Sequence, residues 1–360
     1  MGVTEFLEQL PENNDAPLSF AAIAELSSIT AEEADELARS WDEWPGERVR
    51  ELLERLAGMA QDDTRLEFET VFKAALTLPD PYVRRLAVTG LEESADRTLS
   101  ATFADMVQAD PDEDVRARTA QTMSTLCALA VEGWLHSRDA DRLFESLFNV
   151  LQKPDEAHVV KCRALESVAV FGGDRVSGFI QWAFDEGDLT LRQSALIAMG
   201  RTCDPRWMSA ILEDLDHVNA GVRFEATRAL GEVGGEDAAP HLAGPLDDQD
   251  LDVQIATVAA LERLGGDDAK RQLKQATRGP EPAVAEAAKQ ALQTLENEEK
   301  LYDPITPEMR KGGGLFGGPI PGAASDDEDD DYDAASREGW EGVEPPDGMP
   351  EIEDEENTQW

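Results

Sequence analysis

Three segments of this chain, LRQSALIAMG (191–200), VRFEATRALG (222–231) and VQIATVAALE (253–262), repeat one pattern every 31 residues. A branched apolar residue opens each copy and a basic or polar one follows. Small residues stand four and seven places on, with a larger apolar residue at the eighth. Such a period is the signature of a helical solenoid, in which each unit buries its apolar face only by stacking on its neighbours. The opening, or anchor, residues run through the chain as Val83, Val115, Val160, Leu191, Val222, Val253 and Val284. Four places on stand Ala87, Thr119, Ala164, Ala195, Ala226, Thr257 and Ala288; seven places on stand Gly90, Thr122, Ser167, Ala198, Ala229, Ala260 and Ala291. These positions share one helical face. Small residues there let helices approach, and the larger one fills the space between them.

Local signals agree with the period. Asp80, Asp112, Asp188, Asn219 and Asp250 each stand three residues before an anchor, where a side-chain oxygen accepts from the first free amides of a helix. Pro81 and Pro282 suit a first helical turn. Gly172–Gly173, Gly234–Gly235 and Gly265–Gly266 suit helix ends. A shorter helix is expected after each anchor helix, as in PRWMSAILEDL (205–215) and AAPHLAGPLDD (238–248), making each repeat a helical hairpin. One anchor interval is 45 residues instead of 31, and the excess falls within 126–154. Insertions into solenoids often serve binding; the plainer expectation is two longer helices that add to the core.

The expected fold is all-α: a right-handed α-solenoid of helical hairpins with a disordered acidic C-terminal tail. Residues 1–44 read as a helical cap, in which Thr30 and Glu33 form a capping box and Trp41 and Trp44 supply bulk. Residues 45–297 read as the solenoid of about eight repeats, and 298–325 as a Pro/Gly-rich linker. The segment 326–360 holds 16 acidic residues against one basic residue, Arg337. It cannot bury enough apolar surface to fold, so removing 312–360 is expected to leave the thermal midpoint nearly unchanged. The net charge of −44 argues against a grip on nucleic-acid phosphates or anionic membranes. Three cysteines without a CxxC pair, no leader-like N-terminus and no long apolar run point to a cytoplasmic protein without disulfides.

VRFEATRALGEVGG and its copies resemble HEAT repeats of the short type found in bilin-lyase-like proteins. The resemblance spans about 45–297 and is strongest over 160–266. FETVFKAALTLPDPYVRRLAVTGLEE (68–93) and MGRTCDPRW (199–207) are similar to a group of bacterial HEAT proteins of unassigned function. The resemblance implies a protein-binding scaffold. Two enzymes share this repeat type. Deoxyhypusine hydroxylase would imply His-Glu pairs for two irons, but His136, His158, His217 and His241 precede Ser, Val, Val and Leu. Bilin lyases would imply an accessory role on a tetrapyrrole, although the residues in common are those of the repeat itself.

The expected function is therefore a non-catalytic adaptor that binds a protein or peptide partner, with its acidic tail docking or masking a surface. No cofactor, metal or catalytic residue is expected. The alternative is an accessory lyase or oxidoreductase acting on a tetrapyrrole or protein substrate. Basic residues after the anchors form a register of Arg84, Arg116, Lys161, Arg192 and Arg223 that lapses at Gln254. They are expected to bridge to acidic residues of neighbouring turns, such as Asp185, Asp216 and Asp247. A row of cations open to an acidic peptide is the competing reading. Candidate partner-binding residues are Trp134, Trp182, Trp207, Arg192, Arg223, Trp340 and Trp360. For Trp182 and Trp207 packing in the core is the competing role, since large aromatics serve interfaces and cores alike.

Overall fold

A computed structural model of the chain describes residues 3–8 and 18–302. The expected linker beyond Tyr302 and the acidic tail, with Trp340 and Trp360, lie outside the described residues. No strand occurs among the described residues.

Eight helices carry the anchors or their equivalents: α4 (Gly46–Asp62), α6 (Pro81–Gly90), α8 (Glu113–Val131), α10 (His158–Val168), α12 (Leu189–Thr202), α14 (Ala220–Val233), α16 (Leu251–Leu264) and α18 (Pro282–Tyr302). Each packs beside the next to form one layer. The intervening elements, mostly shorter, form the second layer: α5 (Glu69–Ala75), α7 (Leu99–Ala109), α9 (Ser137–Gln152), α11 (Gly173–Glu186), α13 (Met208–Asp214), α15 (Ala243–Leu246) and α17 (Gly266–Ala276). Before α13 and α15 the chain runs through 3₁₀ turns at Pro205–Trp207 and Glu236–Leu242. Pro240 and Pro245 in that stretch each lack an amide for the helical ladder, which is why α15 is so short.

The size rule holds in three dimensions. All seven anchors are buried, and all seven residues four places on have no exposed surface. Leu91, Met123, Val168, Met199, Leu230 and Leu261, eight places on, are also buried. A Cβ added at Gly231 would lie 2.9 Å from Ala260, a measure of how closely α14 and α16 approach. The five expected caps are made: Asp80 accepts from Tyr82 N, Asp112 from Val115 N, Asp188 from Thr190 and Leu191 N, Asn219 from Val222 N, and Asp250 from Asp252 and Val253 N.

Several expectations need correction. Of the two anchor helices that flank it, each short helix packs more against the one that follows, so the hairpin is short helix then anchor helix. Periodicity is blind to this choice, because a 31-residue period reads the same from either start. Gly172 and Gly265 do stop their helices, at φ +62° and +66° with ψ near −155°, a region only glycine occupies freely. Gly234 also ends its helix, but it and Gly235 are extended, with φ of −76° and −97°. Cys203 takes the left-handed turn at φ +50°. The excess residues of 126–154 lengthen α8 and α9, and Leu126, Cys127, Leu143, Leu147, Phe148, Val150 and Leu151 are all buried. The last helix runs past the expected boundary at 297 to Tyr302.

At the N-terminal end, α1 (Val3–Glu8), α2 (Phe20–Ala24) and α3 (Ala31–Ser40) share the core. Thr30 and Glu33 form the full capping box. Trp41 is buried, while Trp44 packs half-buried against the core. Ser28 N donates to Glu67 O at 2.7 Å, tying this end to the loop before α5.

Candidate protein-interaction surface

The basic register is consumed inside the stack. Arg84 grips Asp110 with two bonds of 2.7 and 2.8 Å, Arg192 grips Asp214 at 2.7 and 2.8 Å, and Arg223 grips Asp248 at 2.7 Å twice. Arg116 takes Glu156 at 2.7 Å. Each arginine thus crosses from one anchor helix to the turn of the next hairpin. The same guanidinium also closes its own turn, Arg84 on the carbonyls of Leu78 and Pro79, and Arg223 on that of His217. Arg50 opens the series on Asp80.

The expected ladder is present, but its acidic partners are Asp214 and Asp248 instead of Asp216 and Asp247, and Asp185 carries no rung. Each turn offers several carboxylates one or two residues apart. Only the one facing inward is reached: Asp214 is 1% exposed. Lys161 makes no rung either, bonding the carbonyl of Pro154 at 3.3 Å. The hydrogen bonds from Arg223 hold the Asp248 carboxyl below the usual range, and donating to Asp248 and Asp214 raises the Arg223 and Arg192 guanidiniums. Where the register lapses, Gln254 bonds only the carbonyl of Asp248 at 2.5 Å. Beside it opens a hollow of about 690 Å³, whose lining includes Arg271, Lys274 and Arg278.

Among the described residues the anchor layer meets the short helices on one side, and on the other no described element covers the face of anchor helices. Tyr82, Gln193 and Phe224 are half-buried on it, and Asp114, Val159, Thr190, Asp252 and Ile255 are exposed. Between α10, α12 and α14 this face sinks into a hollow of about 380 Å³. Buried Glu166 sits there, accepting from Ser194 Oγ at 2.6 Å and Arg163 Nη1 at 2.8 Å. Burial pushes the Glu225 carboxyl up, against the pull of Arg228, and likewise raises the Cys162 thiol. Cys162 Sγ lies 3.8 Å from His158 Nδ1. Glu166 and Glu225 each hold an arginine from their own helices. Among the described residues no group of three or more His, Cys, Asp or Glu could hold a metal ion.

The candidate tryptophans separate. Trp207 is 5% exposed and belongs to the core, because the 3₁₀ turn after Pro205 rolls it inward. Trp182 on α11 is 49% exposed. It ends an aromatic series through Phe179, Phe148 and Phe144 with ring centroids 5.3–6.3 Å apart, capped by Arg175 at 4.0 Å from the Phe148 ring. Trp134 is 72% exposed beside Val131, on the turn between α8 and α9.

A second set of exposed apolar residues gave no signal in the sequence. Val159, Leu189, Val218 and Leu251 are exposed by 40, 49, 91 and 43%. All four stand at, or just before, the N-terminal ends of consecutive anchor helices. The period hid them because turn residues do not obey the size rule.

Residues 176–252 match the HEAT repeats family. No curated protein sequence matches the chain. Among solved structures, Kap95p in its complex with RanGDP shares 15% identity over 81% of this chain and 45% of that one, with a TM-score of 0.47. Importin beta shares 16% over 76% and 42%, with a TM-score of 0.43. The chain thus spans less than half the length of either. Human deoxyhypusine hydroxylase shares 18% over 74% of this chain and 97% of that one, at a TM-score of 0.33. No helix among the described residues is long and apolar enough to cross a membrane.

Proposed function

We propose that this HEAT-repeat chain is a non-catalytic scaffold that binds a protein partner along its stack. One observation carries the reading: a face of the anchor layer runs across successive repeats with no described element over it, while the ion pairs of the arginine register are spent within the stack. An extended surface of this kind is what stacked repeats supply to a macromolecular partner. A small-molecule site is instead concave, with a few convergent polar groups. Of the sequence candidates, Trp134 and Trp182 remain available to such a partner, and Arg192 and Arg223 serve the stack. The acidic segment 326–360 fits a docking or masking role by its composition, and a cytoplasmic setting suits three thiols without a CxxC pair.

The test places a photo-crosslinking residue singly at Tyr82, Phe224 and Ile255 of the full chain in its native cell. A scaffold gives one shared protein adduct from several positions. Adduct-free protein carrying a copurified chromophore or metal would overturn the reading in favour of an accessory enzyme.

A further inference from the structure

The rim formed by the N-terminal ends of the anchor helices combines two properties. Val159, Leu189, Val218 and Leu251 place one exposed apolar side chain on each of α10, α12, α14 and α16 or the turn before it. The rim is continuous, because its neighbouring ends are bonded to one another. His158 Nε2 lies 3.5 Å from Asp188, Gln193 Nε2 lies 3.4 Å from Asn219 Oδ1, and Arg223 binds Asp248.

The charge around three of these knobs, Leu189, Val218 and Leu251, is one-sided, whereas near Val159 Lys161 and Arg163 offset Asp155 and Glu156. Segments 185–192, 213–223 and 247–254 hold ten carboxylates against two arginines. Those two, Arg192 and Arg223, are already held by Asp214 and Asp248. Asp185, Glu186, Asp188, Glu213, Asp216, Asp247 and Asp252 remain exposed with no arginine or lysine ion pair among the described residues. A ridge of apolar side chains set in uncompensated negative charge rejects an acidic partner and favours a basic one.

Spacing narrows the partner further. Packed helices lie about 8–10 Å apart, and that distance sets the interval between successive helix ends along the rim. A polyproline II segment advances about 3.1 Å per residue with three residues per turn. Every third side chain of such a segment therefore returns to the same face after about 9 Å, in step with the helix ends.

We propose that this rim docks an extended segment of a partner protein, rich in lysine or arginine, with an apolar residue at every third position. The assignment deepens the scaffold reading and rests on it. It concerns the turn edge of the stack, which adjoins the face tested by crosslinking above and shares Val159 and Asp252 with it.

The test uses the full chain and two labelled peptides of about twelve residues, one repeating Leu-Lys-Lys and one repeating Ser-Lys-Lys, read by fluorescence anisotropy at physiological salt. A chain of charge −44 attracts any lysine-rich peptide, so the readout is the difference between the two. The leucine peptide should bind at least about tenfold tighter. The triple variant Leu189→Ser, Val218→Ser, Leu251→Ser should abolish that difference while keeping the wild-type melting midpoint. Asp216→Asn with Asp252→Asn should weaken both peptides and shallow the salt dependence of binding. Equal binding of the two peptides to the wild-type chain, or a preference surviving in the triple variant, would overturn the proposal. So would a wild-type dimer in sedimentation that the triple variant dissolves, since the rim would then belong to a second copy of the chain. A protein adduct at Phe224 or Ile255 together with no leucine preference would sink the rim assignment and leave the scaffold reading standing.

Discussion

Single residues decide how close the helices come and which charges are spent. Ala226 has no exposed surface and lies at the contact of α14 with its neighbours. Replacing it with Leu should destabilise the fold by roughly 1–3 kcal/mol through overpacking, measured by denaturant unfolding. Asp214 is 1% exposed and its carboxylate is held by Arg192. Arg192→Leu leaves that charge buried and unpaired, which should cost about 3 kcal/mol or more. Arg192→Leu with Asp214→Leu should recover much of the loss. The Arg223–Asp248 pair has a pH signature. Because Arg223 depresses the Asp248 carboxyl in the folded state, the pair's contribution is complete above the ordinary aspartate value of 3.8. It is lost as pH falls through the lower folded value. Asp248→Asn should therefore melt below wild type near neutral pH, and the two curves should converge in strong acid.

At the level of elements, helix ends carry the information. Gly172 and Gly265 end α10's 3₁₀ extension and α16 in a conformation that excludes a Cβ. Gly172→Ala should cost about 1–3 kcal/mol, whereas Gly234→Ala acts through crowding, its Cβ meeting that of Ala238 at 2.6 Å. The anchors, the small residues and the caps were legible in the sequence because they obey local rules repeated at a fixed period. Less was legible at the turns. The choice of Asp214 over Asp216 turns on which neighbouring carboxylate faces inward, and period alone does not encode that. The fates of Trp182 and Trp207 part for a similar reason: one sits on a regular helix with its face turned out, the other in a 3₁₀ turn that rolls it in. The apolar rim residues resembled ordinary core residues until their exposure was known.

Across the whole described stack, charge and apolar surface are divided by role. The arginine register that first attracts attention holds one repeat to the next, and the rim of Val159, Leu189, Val218 and Leu251 faces solvent without a partner among the described residues. Arg50, Arg84, Arg116, Arg192 and Arg223 each supply one rung, and each repeat touches chiefly its neighbours, so stability should be close to additive along the stack. Losing a rung should weaken folding without altering recognition. The most direct test measures thermal midpoint and leucine-peptide affinity side by side for Arg192→Leu and Val218→Ser, at a temperature where both are folded. The account predicts a crossover: Arg192→Leu lowers the midpoint and keeps the affinity, while Val218→Ser keeps the midpoint and lowers the affinity. An Arg192→Leu chain that melts like wild type yet loses the peptide would contradict it.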